Sequence, residues 1–381
     1  MLILVINCGS SSAKFDLFEL NKESSDLLRG TVERIGEDSS NLSYEINAEE
    51  KIQKEVLCPD HHSAIKIIKD ILTDPEKGVI ADVSEVHGVG HRVVHGGEEF
   101  TESVLIDESV LKSIEKFSEL APLHNPPSLE GIKGCMKIFP AVPQIAVFDT
   151  AFHQTMPEEA YCYGIPYELY EKYGIRRYGF HGTSHRYVSA KAAEILGKPL
   201  SELNLITVHL GNGCSADAIK KGKSVDTSMG FTPLEGLLMG TRSGDLDPAV
   251  VTFIMQRENI DAEGVNDLLN KKSGLLGISG VSNDMRDILK AIDSGDKRAK
   301  LAYDIFVYRI KKYIGAYAAV LGEVDAVVLT AGIGENLPRL KDELKRDLAP
   351  LLGGKTEFMA IGTNEELLIA KDTYEIVNKM K

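Results

Sequence analysis

Twice in this chain an apolar run of strand length ends in a cluster of small residues and is followed at once by a second run. The first instance is Leu2 to Ile6, then Asn7-Cys8-Gly9-Ser10-Ser11-Ser12-Ala13-Lys14, then the alternating segment Phe15 to Leu20. The second is Leu203 to Leu210, then Gly211-Asn212-Gly213-Cys214-Ser215-Ala216, then Ala218-Ile219 with Lys220 to Lys223 as a turn. Strand, small-residue loop and returning strand form a hairpin pattern. A third apolar strand, Val324 to Leu329, runs into Thr330-Ala331-Gly332-Ile333-Gly334-Glu335-Asn336. Together the three predict a duplicated α/β architecture with a ligand between its halves.

Consecutive small residues after a strand let backbone N–H groups and hydroxyls converge on an anion, and Lys14 can add a mobile positive charge. The first loop is not a Walker A loop. That motif needs G-x-x-x-x-G-K-[ST] opening a helix, whereas Phe15, Leu17 and Glu19 against Asp16 and Phe18 read as the return strand of a hairpin. Taken alone, the loop fits an ordinary serine-rich β-turn equally well.

Composition narrows the function classes. At 381 residues the chain is long enough for roughly two domains, or at most three. It carries 43 Lys and Arg against 57 Asp and Glu, a net charge of −14, which argues against general binding to nucleic acid or to an anionic membrane. An anionic ligand must therefore be held by locally placed cations. The five cysteines are widely spaced and never C-x-x-C, so neither a disulfide framework nor a zinc site is expected. No apolar stretch approaches the roughly 18 residues of a membrane span. Met1 to Ile6 lacks the charged start of a signal peptide, so the expectation is a complete cytoplasmic protein.

Between the strands lie helical signals. Ser184 is a candidate N-cap, with Val188, Ala192, Ile195 and Leu196 on one face and Gly197 as the stop. Asp247-Pro248 and Asn125-Pro126 each read as an N-cap followed by proline at the first helical position. The domain boundary is expected near Asp149 to Tyr163. The expected domains are residues 1–150 and 151–365, with a C-terminal helix over 366–381 packing back onto the first.

Four segments set polar residues among glycine and apolar neighbours: Gly90 to Gly97, Phe148 to His153, Gly179 to His185 and Gly240 to Asp245. His91 and His95 have the i, i+4 spacing of a metal pair, but glycines flank them and the carboxylate of H-E-x-x-H is missing, which argues against a metal site. Taken singly, Arg92, Asp149, His181 and Arg242 fit structural ion pairs and satisfied histidines. Beside three phosphate-type loops they make a coherent site.

The sequence resembles the acetate kinase family, in the acetate and propionate kinase branch of the actin, sugar kinase and Hsp70 superfamily. The resemblance runs from Leu2 to about Asp372. Its motifs are INCGSSSAK, GHRVVHGGE, APLHNP, VFDTAFHQTMP, GFHGTSHRYV, HLGNGCSA, DTSMGFTPLEGLLMGTRSGDLDP, AGIGEN and TNEEL. It implies a duplicated actin-like (ribonuclease H-like) two-domain α/β architecture with an interdomain active-site cleft. It implies reversible, Mg2+-dependent transfer of the ATP γ-phosphoryl group to acetate by direct in-line attack, giving acetyl phosphate and ADP. Mn2+ could replace Mg2+, and the assembly implied is a homodimer.

By the same resemblance, Arg92 binds the substrate carboxylate, while Val94, Leu123, Phe180 and Pro233 form the apolar pocket for its methyl group. His181 and Arg242 meet the equatorial oxygens of the transferring group. Asp149 lies beside the reacting groups, and since a carboxylate nucleophile has no proton to lose, orientation of Arg92 or of magnesium-bound water is the favoured role. Asn7 and Glu365 take the magnesium positions, Glu365 being preferred to Glu366. Ser12 and Lys14 lie near the β- and γ-phosphates, and His209, Leu210, Gly211, Asn212 and Gly213 form the second phosphate loop. Asp284, Met285, Arg286, Ala331, Gly332, Ile333, Gly334 and Glu335 enclose the nucleoside. Without the resemblance, Asp284 to Arg286 reads as a simple helix start.

Three departures from the family pattern stand out: Cys8 for alanine, Ala331 for glycine, and a shortened segment between Leu352 and Thr363. A propionate or other short-chain carboxylate kinase, and a pyrophosphate donor, remain alternatives within enzymes. A nucleotide-gated chaperone or filament ATPase is the alternative from another class, and it leaves Arg92, Phe148 to His153 and His181 unexplained.

Overall fold

The computed structural model describes residues 1–20, 25–49, 51–122 and 124–380. It divides into two compact units, Met1–Ala151 with Asn364–Lys381, and Phe152–Thr363.

The first unit is built on an eight-stranded sheet: β1 (Leu2–Gly9), β2 (Ser12–Glu19), β3 (Ser25–Glu33), β4 (Ser40–Ile46), β5 (Ile52–Val56), β6 (Val86–Val93), β7 (Val104–Leu105) and β8 (Gln144–Phe148). Their order across the sheet is β5-β4-β3-β2-β1-β6-β8-β7. The hairpin read from the sequence is β1 and β2, antiparallel from Leu2 opposite Glu19 to Gly9 opposite Ser12. β6 then lies parallel to β1, and β8 parallel to β6; parallel neighbours need long crossovers, which here contain helices.

Alternation along β1 sends side chains to opposite faces. Leu4 and Ile6 join Phe15 and Leu17 in a core with Ile65 and Ile68 of the helix His61–Leu72 and with Cys135 near the end of the helix Asn125–Ile138. Ile3 and Val5, with Val147, meet Ile369, Ala370 and Val377 of the C-terminal helix Glu365–Lys379. Two glycines of β6 let that helix come so close. A Cβ on Gly90 would lie 2.7 Å from Ile369 Cγ2 and closer still to Thr373 Oγ1, and one on Gly88 would lie 2.9 Å from Val377 Cγ2.

The second unit contains β9 (Asn204–Leu210), β10 (Cys214–Lys220), β11 (Lys223–Thr227), β12 (Ala326–Thr330) and β13 (Glu357–Ala360), in the order β11-β10-β9-β12-β13. β11 and β10, and β10 and β9, are antiparallel; β9 and β12, and β12 and β13, are parallel. The first unit repeats this pattern in β3-β2-β1-β6-β8. The duplication is therefore one of topology, and each half is a ribonuclease H-like core of the actin-like kind. β12 is buried along its whole length, as its apolar run Ala326 to Leu329 requires.

The helix Gly182–Leu196 packs Val188, Ala192 and Ala193 against Leu205, Ile219, Ala326 and Val328. It stops at Gly197 in the left-handed conformation, as the sequence predicts. Ser184 is not its N-cap: the helix begins at Gly182 with His181 as the cap, and Ser184 turns inward within the first turn. Ile195 is exposed rather than on the buried face. Asp247 does cap its helix, accepting from the Ala249 N–H. Asn125 is the first helical residue, not a cap; its side chain bonds the backbone of His95 in both directions. The glycine-rich stretch after β12 is a short helix, Ala331–Asn336, not a loop.

Candidate active site

In the first unit the site residues gather where β1, β2 and β6 meet the start of the C-terminal helix. Asn7 and Lys14 are opposite each other in the β1–β2 register, and Asp16 is opposite Val5, so all three lie on the face that this helix covers. Arg92 belongs to the same face, opposite Val147. Its guanidinium grips Asp149, Nε to Oδ1 at 2.9 Å and Nη2 to Oδ2 at 2.7 Å, and Nε lies 3.8 Å from Glu365 Oε2. Burial opposes the charge on Arg92, but Asp149, Glu365 and Glu366 more than offset it and hold its pKa above the usual value.

The carboxylates outnumber their partners here. Burial, against the pull of Arg92 and with the push of Asp149 and Glu366, raises Glu365 to about 7. Burial, Glu366 and Asp26 raise Asp16 to about 8 against Arg29 and Lys14. Lys14, Asp16 and Glu366 line a cavity of about 320 Å3 with Arg29, Glu45 and Lys51. Such an excess of buried negative charge suits a divalent cation near Asn7 and Glu365. Among the described residues no group of three or more His, Cys, Asp and Glu side chains could hold an ion, so water or phosphate oxygens would have to complete its shell.

His91 and His95 take no part in this. Burial lowers His91 to about 4, and its Nε2 lies 2.8 Å from Gln144 Oε1. His95 accepts from the Gly97 N–H through Nδ1 and stacks on Phe117.

In the second unit the turn between β9 and β10 is the focus. A Cβ on Gly213 would lie 2.8 Å from Arg242 Nη2 and 3.4 Å from His181 Nε2, so both side chains close on backbone that only glycine leaves open. Arg242 donates from Nη1 to the Pro233 carbonyl at 2.6 Å, and burial lowers its pKa from the usual value. His181 holds a left-handed backbone, φ 59°, uncommon outside glycine and a form of strain found at functional sites. Its ring stacks on His209 with centroids 4.1 Å apart.

Beside this turn a cleft of about 770 Å3 is lined by Gly211, Asn212, Asp284, Met285, Arg286, Gly332 and Ile333, all expected from the sequence. Asn283, Leu289, Asn336 and Leu337 line it as well and were not expected. Asn283 donates to Asn212 Oδ1 at 3.0 Å, joining two walls. Asp284 is also a helix N-cap, accepting from the Arg286 N–H and pairing with its guanidinium, which lowers it to about 2. The helix-start reading thus holds, and the same residues line the cleft.

Leu210, Ala331, Gly334 and Glu335 do not line the cleft. Leu210 is sealed within β9, and Ala331 and Gly334 are buried; Glu335 accepts from the Thr363 N–H at 3.1 Å. Of the expected methyl pocket, Val94 belongs to the first unit and Phe180 and Pro233 to the second, while Leu123 lies outside the described residues. Ser12 faces Gly9 across the first hairpin. Sequence reading gave no role to Asp16, His153, His185, Thr207 or Ser215, although His153, His185 and Ser215 lie within segments it singled out. His185, Thr207 and Ser215 share a buried hydrogen-bonded network, and the polar positions Thr207, His209, Ser215 and Asp217 in β9 and β10 were its available signal.

The chain matches the Acetokinase family over residues 2–359. It is 55% identical over 398 residues to an acetate kinase of Halothermothrix orenii, covering 99% of this chain and 100% of the relative. Among solved structures, Porphyromonas gingivalis acetate kinase matches with TM-score 0.92 and 46% identity over 99% of each chain. A propionate kinase from Francisella tularensis matches with TM-score 0.91 and 44% identity over 98% of this chain and 99% of its own. By sequence, topology and length alike, this chain is a member of the acetokinase family.

Proposed function

We infer that this protein is a phosphotransferase that moves the γ-phosphoryl group of ATP onto acetate, reversibly, giving acetyl phosphate and ADP. The observation that carries this reading is the approach of Arg242 and His181 to the backbone of Gly213. It puts two donors of the kind that stabilise equatorial phosphoryl oxygens beside a glycine turn and a cleft large enough for a nucleoside.

Acetate needs no general base, because its pKa, close to that of Glu at about 4.3, leaves it ionised at neutral pH. The obstacle is the meeting of anions. Two unit charges 4 Å apart interact by about 4 kcal/mol at an effective dielectric of 20, so cations must surround the transferring group. Arg92 binds the carboxylate of acetate. Asp149 occupies its Nε and Nη2 edge, which leaves Nη1 for the substrate carboxylate and suits Asp149 to an orienting role rather than that of a proton carrier. Arg242 and His181 hold the phosphoryl oxygens as charge spreads over them. Ser12, Lys14 and the turn from His209 to Gly213 hold the phosphates, and Asp284 to Arg286 with Gly332 and Ile333 hold the nucleoside. Asn7 and Glu365 are the residues that would hold Mg2+, which when bound neutralises phosphate charge.

Val94, Phe180 and Pro233 would meet the acetate methyl. A methylene is worth only about 0.8 kcal/mol of burial, so propionate is expected as a weaker substrate. A homodimer in the cytoplasm is the proposed working form. The helix Pro248–Glu258 supports the dimer: it buries none of its side chains, and Val250 and Phe253 are exposed. A face of that kind calls for cover, and a second copy of the chain is the proposed cover. Sedimentation should show a dimer for the wild type and a monomer for Phe253→Glu; a monomeric wild type would end the dimer proposal.

The deciding experiment traps acyl phosphate with hydroxylamine from ATP, Mg2+ and acetate, propionate or butyrate, with controls lacking acid or nucleotide. Acetate-dependent trapping supports the reading. ATP hydrolysis without trapped product would defeat it.

A further inference from the structure

The helix Gly182–Leu196 places His185 in its first turn, between two hydroxyls of the sheet. His185 Nδ1 lies 2.7 Å from Thr207 Oγ1, and its Nε2 lies 2.7 Å from Ser215 Oγ. The same Ser215 oxygen lies 2.9 Å from His181 Nδ1. One hydroxyl, with one proton, therefore stands between two imidazoles. Thr207, His185 and Ser215 are all sealed from solvent.

We propose that Ser215 and His185 are positioning residues that hold the His181 imidazole with its proton on Nε2, the nitrogen facing the glycine turn. The argument is a proton count. His185 is neutral, because burial, with His153 and His209 nearby, pushes its pKa well below the usual histidine value. One of its nitrogens donates and the other accepts. When Nδ1 accepts from the Thr207 hydroxyl, Nε2 donates to Ser215, and the Ser215 proton is left to donate to His181 Nδ1. His181 then carries its own proton on Nε2, aimed where Arg242 Nη2 also points.

The opposite arrangement reverses every bond. Ser215 would donate to His185, His181 would donate from Nδ1, and a neutral His181 would present a bare lone pair at the turn. A lone pair there repels a phosphoryl oxygen, and curing that by a second proton would put a cation beside Arg242. The network thus lets His181 donate one hydrogen bond without adding charge. The ring is further fixed by its stack on His209, whose Nδ1 lies 2.8 Å from Ser184 Oγ.

The choice between the two arrangements rests on the kinase reading, because an anion at the turn is what favours a donor there, but the spectrum that reads the tautomer does not depend on activity. The test is the imidazole nitrogen spectrum of protein labelled with 15N-histidine, the His181 signals being assigned by their loss in His181→Gln. The wild type should show His181 with Nε2 protonated and Nδ1 accepting. Ser215→Ala should populate the other tautomer and lower kcat about tenfold with the KM for acetate and ATP little changed. Ser215→Thr, which keeps the hydroxyl, should restore both. Protonation of His181 at Nδ1 in the wild type, or an unchanged His181 spectrum in Ser215→Ala, overturns the proposal. Should Ser215→Ala fail to fold, the wild-type and Ser215→Thr spectra decide it. A protein that makes no acetyl phosphate would defeat the functional reading and leave these spectra as informative as before.

Discussion

Arg92 and Asp149 form a two-pronged ion pair, 2.9 and 2.7 Å long, in which the carboxylate is sealed from solvent and the guanidinium remains partly open. The shape of the pair separates two roles for Asp149. A proton carrier would need a free oxygen, whereas an orienting group needs both oxygens engaged, as they are. Asp149→Asn keeps the size and loses one acceptor and the charge. The expected result is a KM for acetate raised about tenfold or more, with the KM for ATP unchanged, since a charge-assisted hydrogen bond is worth about 1.5–3 kcal/mol. Steady-state kinetics in both substrates check this. A variant with wild-type acetate KM but altered pH dependence of kcat would restore the proton-carrier role.

The same corner depends on a residue with no side chain. Gly90 lets the C-terminal helix lie on β6, with Ile369 and Thr373 in the space a Cβ would take, and Glu365 stands at the first turn of that helix. Gly90→Ala should cost about 1–3 kcal/mol through overpacking and should weaken activity by moving Glu365. Thr373→Ala added to Gly90→Ala removes the closest clash, so the double variant should recover part of both losses. Urea denaturation with parallel activity assays measures this, and purely additive losses would show that the contact is not the cause.

The duplication was legible because two hairpins with similar punctuation, Asn7 to Lys14 and Gly211 to Ala216, begin the two cores. Periodicity and glycine placement also revealed the helix ending at Gly197. β5 was not legible: Ile-Gln-Lys-Glu-Val is polar and lies at a sheet edge, where no second neighbour demands apolar side chains. Ser184 looked like a cap because caps are read from residue type, whereas the tertiary partner His209 drew its hydroxyl inward. The network of His185, Thr207 and Ser215 was invisible for a related reason. His185 belongs to one polar segment, Ser215 to a small-residue cluster and Thr207 to the strand before that cluster, and only strand register and helix docking bring them together.

Arg242 reaches the glycine turn while its other nitrogen donates to the Pro233 carbonyl. This tether fixes the guanidinium before substrate arrives, which is what a group stabilising a transition state requires. Arg242→Ala should lower kcat about 100- to 1,000-fold, the loss typical of a preorganised oxyanion donor, with KM values within a few-fold of wild type. Arg242→Lys should recover little, because an ammonium cannot satisfy Pro233 and the substrate with one planar fork. A large KM change with normal kcat would reassign Arg242 to ground-state binding.

Asp16 offers a pH test of the first unit. Its pKa is raised to about 8, chiefly by burial and then by Glu366 and Asp26, against about 3.9 in an unfolded chain. A group with a raised folded pKa contributes its full stability below the unfolded value and loses it as pH climbs through the folded one. Asp16→Asn, which cannot ionise, should therefore gain on the wild type steadily between about pH 4 and pH 8 and no further above that. The accumulated difference should amount to a few kcal/mol, since each pKa unit between the two states is worth about 1.4 kcal/mol. Denaturant melts across this range test it, and a pH-independent difference would mean that Asp16 ionises as freely as an exposed carboxylate.

Ala331 stands where the family pattern favours glycine, and the backbone shows why glycine suits the position. Its φ is 63°, the left-handed region, at the junction of β12 with the short helix that carries Gly332 and Ile333 into the nucleoside cleft. A left-handed alanine costs about 1–2 kcal/mol. Glycine would remove that strain and lose about 0.4–1 kcal/mol through the greater freedom of the unfolded chain. Ala331→Gly should thus be more stable by ~0.5–1 kcal/mol. The KM for ATP should stay within a few-fold of wild type, because Ala331 does not line the cleft. Denaturant midpoints and nucleotide kinetics measure the two halves of this expectation separately. A less stable glycine variant would mean that the methyl group of Ala331, 3.9 Å from where a Cβ on Gly211 would lie, contributes more by packing than the left-handed backbone costs.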